Sequence, residues 1–203
     1  MSLLQKLQSI DEIKPQAMKY DYLIILGSAY PNVKDRFQHA IDLVKNGICC
    51  DSIVVLSGAR PLTESEKNKI QKDFNILDDQ VPQTEAQSMI FLYQHMAMPE
   101  SMRNLPIQII DVPMKFGAQG QLIRPTTGDT VDAWMDLDPT PGKCLAISNQ
   151  PYVLYQDSVL KTLLPQSFIV EAVGARDGNM NIDLCLDTLA RFLYQEHKRA
   201  SKK

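Results

Sequence analysis

Histidine and cysteine are scarce here, three and four residues in a chain of 203, and neither type is arranged for chemistry. His39, His95 and His197 fall within helical patterns, away from the strand ends where α/β proteins hold their ligands. Cys49 and Cys50 are adjacent and lack C-x-x-C spacing, while Cys144 and Cys185 sit in apolar-periodic segments. All four read as buried or half-buried thiols, and no metal is expected. Long hydrophobic runs are missing too: nothing approaches the ~20 uninterrupted apolar residues of a spanning helix. The opening MSLLQKLQSIDEIKPQ has neither the basic start nor the apolar run of a signal peptide. A cytoplasmic protein without a membrane partner is the expectation. An excess of one charge is also absent. The 21 Lys plus Arg and 24 Asp plus Glu leave a net charge of -3, without the basic surplus of a dedicated nucleic-acid binder. GSAYPN after the first strand is not G-x-G-x-x-G, no G-x-x-x-x-G-K-[ST] occurs, and neither Ser57 nor Ser148 lies in G-x-S-x-G. Ordinary dinucleotide and P-loop sites are not indicated, and the cofactor stays unknown.

What is present is an apolar chain, 44% hydrophobic, sufficient for one substantial core. Five short runs rich in β-branched residues occupy 22–26, 52–56, 107–112, 143–147 and 168–173, and each ends in small or turn residues. These are buried-strand patterns. Helical patterns alternate with them. Phe37, Ala40, Ile41 and Val44 share a face before Gly47, and Ala86, Met89, Ile90, Tyr93 and Met96 form a second stripe. Val131, Trp134 and Met135 make a shorter third, Pro151 opens a fourth running to about Leu164, and Ile182, Leu186, Leu189 and Leu193 mark the last. An N-terminal helix over 1–15, with Leu3, Leu4, Leu7 and Ile10 on one side, stops at Pro15. Such alternation implies a Rossmann-like, doubly wound α/β domain spanning 1–203. Its sheet is parallel and five-stranded, in order 3-2-1-4-5, with helices on both faces.

Two connections exceed the usual ~2–6 residues of such folds, and both follow strands, on the ligand side of the sheet. Residues 60–83 contain Thr63-Glu64-Ser65-Glu66, a capping-box pattern, and so a helical insertion that is either a solvated excursion or a lid. Residues 114–127 lead into RPTTGDT, where Asp129 or Thr127 is a sufficient N-cap and Arg124 a forked donor for phosphate or carboxylate. Capping alone and capping with ligand contact both fit that stretch.

The default ligand site is the crevice where the strand order reverses, between the first and fourth strands. Gly27 and Ser28 reach it from the first strand, Ser57, Gly58 and Arg60 from the second, and Ser148, Asn149 and Tyr152 from the fourth. Arg124, Thr127 and Thr130 come from the long third loop. Glu85 and Asp129 are the candidate bases, although each also suits a helix start.

The order of these motifs resembles the bacterial YdcF/SanA/ElyC-like family, a domain of largely unknown function. Gly27, Arg36, Ala40, Gly47, Ser57 and Gly58 match its opening, with Ala59 in place of a second glycine. Thr84-Glu85-Ala86 resembles its Ser-Glu-Ala helix start, Asp129-Thr130-Val131-Asp132-Ala133 its Asn-Thr-x-Glu-Asn-Ala motif, and LAISNQPYVLY its fourth strand. Where the family usually carries His and then Arg after that strand, this chain has Tyr152 and Tyr155, and it lacks the membrane segment of the envelope-anchored members. The resemblance implies a Rossmann-like fold with a polar site at the strand ends.

These readings point to a protein that binds a small polar molecule, anionic or nucleotide-like, at that site. Two alternatives accompany it. One is a metal-independent hydrolase or transferase using Glu85 or Asp129; the other is a protein-interaction module in which the crevice is vestigial.

Overall fold

The computed structural model describes residues 10–176 and 181–201. Five parallel strands form the main sheet: β1 (Lys19–Leu26), β2 (Cys49–Gly58), β3 (Ile107–Val112), β6 (Lys143–Asn149) and β7 (Ile169–Ala175). Their order is β3-β2-β1-β6-β7, the arrangement expected from the alternation, with the reversal between β1 and β6. β4 (Lys115–Phe116) and β5 (Leu122–Ile123) make a separate antiparallel hairpin inside the long third loop.

Both faces of the sheet are covered, as a parallel sheet requires. Alternate residues feed two cores. Leu23, Ile25, Ile53, Val55, Leu145 and Ile147 face α1 (Tyr30–Lys45) and α3 (Glu85–His95), meeting Phe37, Ile41, Met89 and Leu92. Ile24, Leu26, Val54, Leu56 and Ala146 face α5 (Thr127–Met135) and α6 (Val153–Leu163), meeting Val131, Trp134 and Leu160. The Trp134 ring stands edge-on to Tyr22 and Phe168. Each such fully buried side chain contributes roughly 1.5–3 kcal/mol from burial. The four cysteines are free thiols, with Cys49 exposed and the others buried.

The remaining helices are α2 (Glu64–Phe74) within the 60–83 insertion, α4 (Glu100–Arg103), and α7 (Ile182–Ala200), which packs on α6. α2 has the capping box read from its sequence: Thr63 caps Glu66 N–H while the Glu66 carboxylate accepts from Thr63 N–H. Ile70 anchors it in the first core.

Three expectations change. Most of the N-terminal helix falls on residues outside those described, and 10–15 are not helical. Ile13 instead bridges Gly174 on the free side of β7, where edge groups lack a strand partner and Pro15 excludes a helix. In α3 the core takes Ser88, Phe91 and Leu92 besides Ala86 and Met89, whereas Ile90 and Tyr93 are only half-buried. In α7 the core takes Cys185 and Thr188, and Ile182, Leu186 and Leu193 face outward. Among the described residues no helix is long and apolar enough to cross a membrane.

Candidate functional site

A cavity of about 410 Å³ opens at the reversal point, on the carboxyl ends of β1 and β2. Its floor is Leu26, Gly27, Leu56 and Gly58, and two of these positions require glycine by close approach. A Cβ on Gly27 would sit 2.3 Å from Glu85 Oε1 and 2.8 Å from the Leu56 carbonyl. On Gly58 it would sit 2.2 Å from Pro125 Cγ. RPTTGDT therefore crosses directly over the end of β2, which brings Arg124, Thr127 and Thr130 to the cavity wall.

Arg36, from the second turn of α1, is the most buried charge at the site, 2% exposed. Its Nη1 donates to the carbonyls of Leu26 and Gly27 at 2.7 and 2.8 Å, and its Nε to Asn149 Oδ1 at 2.8 Å. It thus ties the ends of β1 and β6 together at the reversal. Nη2 has no acceptor, and no carboxylate lies within ion-pair distance among the described residues. Burial pulls its pKa down to about 10, opposed by the fields of Glu85 and Tyr152, so it stays cationic at neutral pH.

Arg60 behaves differently. Its guanidinium bonds Glu66 through both Nη atoms and Glu85 through Nε at 3.0 Å, and Glu66 also accepts from Tyr30 N–H. Burial pushes the Glu66 carboxyl up, but the bonds from Arg60, Thr63 and Tyr30 outweigh it and hold the group down at about 2. For Glu85 burial wins over Arg60, and its pKa is raised. Glu85 Oε1, poised over Gly27, makes no protein hydrogen bond among the described residues.

Arg124 is exposed at the mouth and, among the described residues, has neither a hydrogen bond nor an ion pair. Beside it α5 begins. Its N-cap is Thr126, rather than Thr127 or Asp129, and Asp129 completes a capping box by accepting from Thr126 N–H at 2.8 Å. The amides of Thr127 and Gly128 have no acceptor among the described residues, as in the first turn of any helix.

Of the residues expected at the site, Gly27, Ser28, Gly58, Arg60, Glu85, Arg124, Thr127, Thr130 and Tyr152 line the cavity. Four do not. Ser57 belongs to the strand face of Ile53 and Val55, opposite to Leu56, and its buried Oγ donates to the Ile110 carbonyl. Ser148, within β6, is fully buried and stands in register with Gly174 of β7. Asn149 acts behind the wall, holding Arg36. Asp129 is engaged by its capping box and by Lys115, and is not among the residues lining the cavity.

Sequence reasoning missed Arg36 as a site residue, and also Tyr155, Gln156, Asp187 and Arg191. Asp187 and Arg191 carried a signal, an i, i+4 pair on the helix after β7, where they bond at 2.8 Å. Four arginines and two carboxylates, Glu85 and Asp187, therefore line the cavity. No three His, Cys, Asp or Glu side chains gather for a metal among the described residues. Comparison with protein-family models, with curated proteins and with solved structures finds no match for this chain.

Proposed function

We propose that this protein binds a small anionic molecule, bearing a phosphate or carboxylate, in the crevice at the strand ends. The observation that carries this reading is Arg36. A buried charge is normally paired, because an uncompensated one is costly, and Arg36 faces only neutral acceptors while Nη2 stays unfilled. A bound anion supplies a directly bonded countercharge, which the more distant field of Glu85 does not. Arg124 and the open first turn of α5 add donors and positive potential from the facing wall. The volume suits a ligand of nucleotide or sugar-phosphate size. Gly27, Arg36, Gly58 and Glu85, which line the cavity, are among the residues that carry the likeness to the YdcF/SanA/ElyC-like family.

The test is a thermal-shift series with inorganic phosphate, pyrophosphate, nucleoside phosphates, sugar phosphates and dicarboxylates, each beside its neutral analogue. Ligand at ~100 times Kd adds ~2.7 kcal/mol, which moves the midpoint by roughly 5–10 °C for a chain of this size. Equal shifts from neutral analogues, or none from any anion, would reject the proposal.

A second reading rests on Glu85. Its unfilled Oε1 and its raised pKa suit a general base in a metal-independent hydrolase or transferase. Turnover of a bound phosphoester or glycosyl phosphate, abolished in Glu85→Gln with binding retained, would establish it. Binding without turnover would dismiss it.

A further inference from the structure

Glu85, at the start of α3, has one carboxylate oxygen committed and the other free. Oε2 accepts from Arg60 Nε, and because Arg60 is itself held by Glu66, the carboxylate is fixed in place. Oε1 lies over the end of β1, where a Cβ at position 27 would collide with it, so Gly27 keeps that place open. Among the described residues nothing donates to Oε1. The Glu85 side chain is 14% exposed, whereas Asp187, the other carboxylate of the cavity, is 52% exposed and well hydrated. An ionised acceptor taken largely out of water without a donor is costly.

Arg36 meets the same glycine. Its Nη1 donates to the Gly27 carbonyl while Nη2 stays unfilled, so an open donor and an open acceptor stand at one residue without bonding each other. The molecule that completes both carries an anionic oxygen and a hydrogen donor close together. That donor is a neutral hydroxyl rather than an ammonium, because Glu85 already lies in the fields of Arg60, Arg36 and Arg124, which repel a further cation. The anionic group is doubly charged. Arg60 is matched by Glu66 and Glu85, and Arg191 by Asp187, which among the described residues leaves Arg36 and Arg124 as two lining cations with no bonded carboxylate. A phosphate monoester, with a charge of about -1.5 to -2 at neutral pH, meets that demand.

We propose that the crevice selects the phosphate monoester of a polyol, a sugar phosphate in class, and that Glu85 determines this specificity by accepting a hydrogen bond from a ligand hydroxyl through Oε1. The inference rests on the anion-binding reading of the cavity and adds the part of the ligand that is not anionic.

Titration calorimetry of the full chain at about pH 8 compares sorbitol 6-phosphate, n-hexyl phosphate and gluconate. At that pH the alkyl ester, whose second ionisation falls at about 6, is a dianion with no proton to donate. Sorbitol 6-phosphate is expected to bind roughly tenfold or more tighter than hexyl phosphate, as a hydrogen bond to a charged group implies, and tighter than gluconate, which has hydroxyls but a single charge. Glu85→Gln isolates the residue. Arg60 offers only donors, so the amide turns its carbonyl to Arg60 and presents its NH2 to the cavity. The variant should lose roughly tenfold or more for sorbitol 6-phosphate and keep or gain affinity for hexyl phosphate. Equal affinity of the wild type for the two esters overturns the proposal, whether or not the variant folds. So does an equal loss of both esters in a variant whose urea melt shows it folded. Gluconate binding as tightly as sorbitol 6-phosphate overturns the assignment of a phosphate. In each of these cases an anion still binds and the reading of the cavity stands; if none of the three binds, both fall.

Discussion

Two excursions leave the sheet on its ligand face, and they are built in opposite ways. The 60–83 insertion is welded down: Ile70 is in the core, Tyr30 donates to Asp73, and Arg60 bonds Glu66 and Glu85 at once. The 113–126 hairpin carries Phe116, Leu122 and Ile123 at 80, 59 and 43% exposure and bonds the body mainly through Lys115 and Asp129. The first is longer and far more charged, 24 residues with nine charged side chains against 14 with two, yet it is the one held down. What separates them is whether charged groups are buried against each other or left in water. The first excursion fixes the carboxylate of the site; the second offers it a free cation.

The sharpest way to break this contrast is Arg60→Ala. Removing one partner from a buried charge network costs about 3–5 kcal/mol, read as a shift of the denaturant midpoint. Glu66 makes the same point through pH. Its carboxyl is held at about 2, below its ordinary 4.5, so its contribution is complete above 4.5 and is lost as pH falls towards 2. The stability difference between wild type and Glu66→Gln should therefore shrink across that window. Glu85 has a raised pKa, so protonation favours the folded state and it does not add to this loss. A constant difference would break the assignment.

Next in size is Arg124→Ala. Affinity for the anionic ligand should fall by ~1.5–3 kcal/mol, about 10- to 150-fold, with the melt unchanged, because an unpaired exposed arginine contributes little to folding. Titration calorimetry measures the first and a urea melt the second. Asp129→Ala reverses the pattern: its capping box is worth ~0.5–2 kcal/mol of stability, and affinity should be largely retained. The smallest effect belongs to Leu122→Ser at the hairpin, within about 0.5 kcal/mol. Limited proteolysis should nick 117–121 before 60–83. Early cleavage within α2 would mean that the weld is weak.

The sheet was legible because each strand is a local pattern: a β-branched run closed by small residues announces itself without its neighbours. Gly27, Gly58 and Glu85 were legible for the same reason, as punctuation at strand and helix ends. Arg36 and Glu66 were not. The partners of Arg36 lie up to 113 residues away, and nothing near Glu66 foretells Tyr30 or Arg60. Ser57 misled because one residue of pleat decides the face, and the sequence marks where the strand ends only to within a residue or two. In α7 the apolar period was read correctly, but periodicity tells that a face is apolar and not what covers it.

The contact between Gly27 and Glu85 has a consequence for how relatives of this chain can diverge. A side chain at 27 displaces the carboxylate at 85, a displaced carboxylate gives up a bond to Arg60, and a loosened Arg60 weakens the hold on α2. Positions 27, 60, 66 and 85 are therefore expected to drift as a set. A lineage that loses the glycine should show a shorter residue at 85 and a trimmed or rebuilt insertion, while the 113–126 hairpin varies on its own schedule.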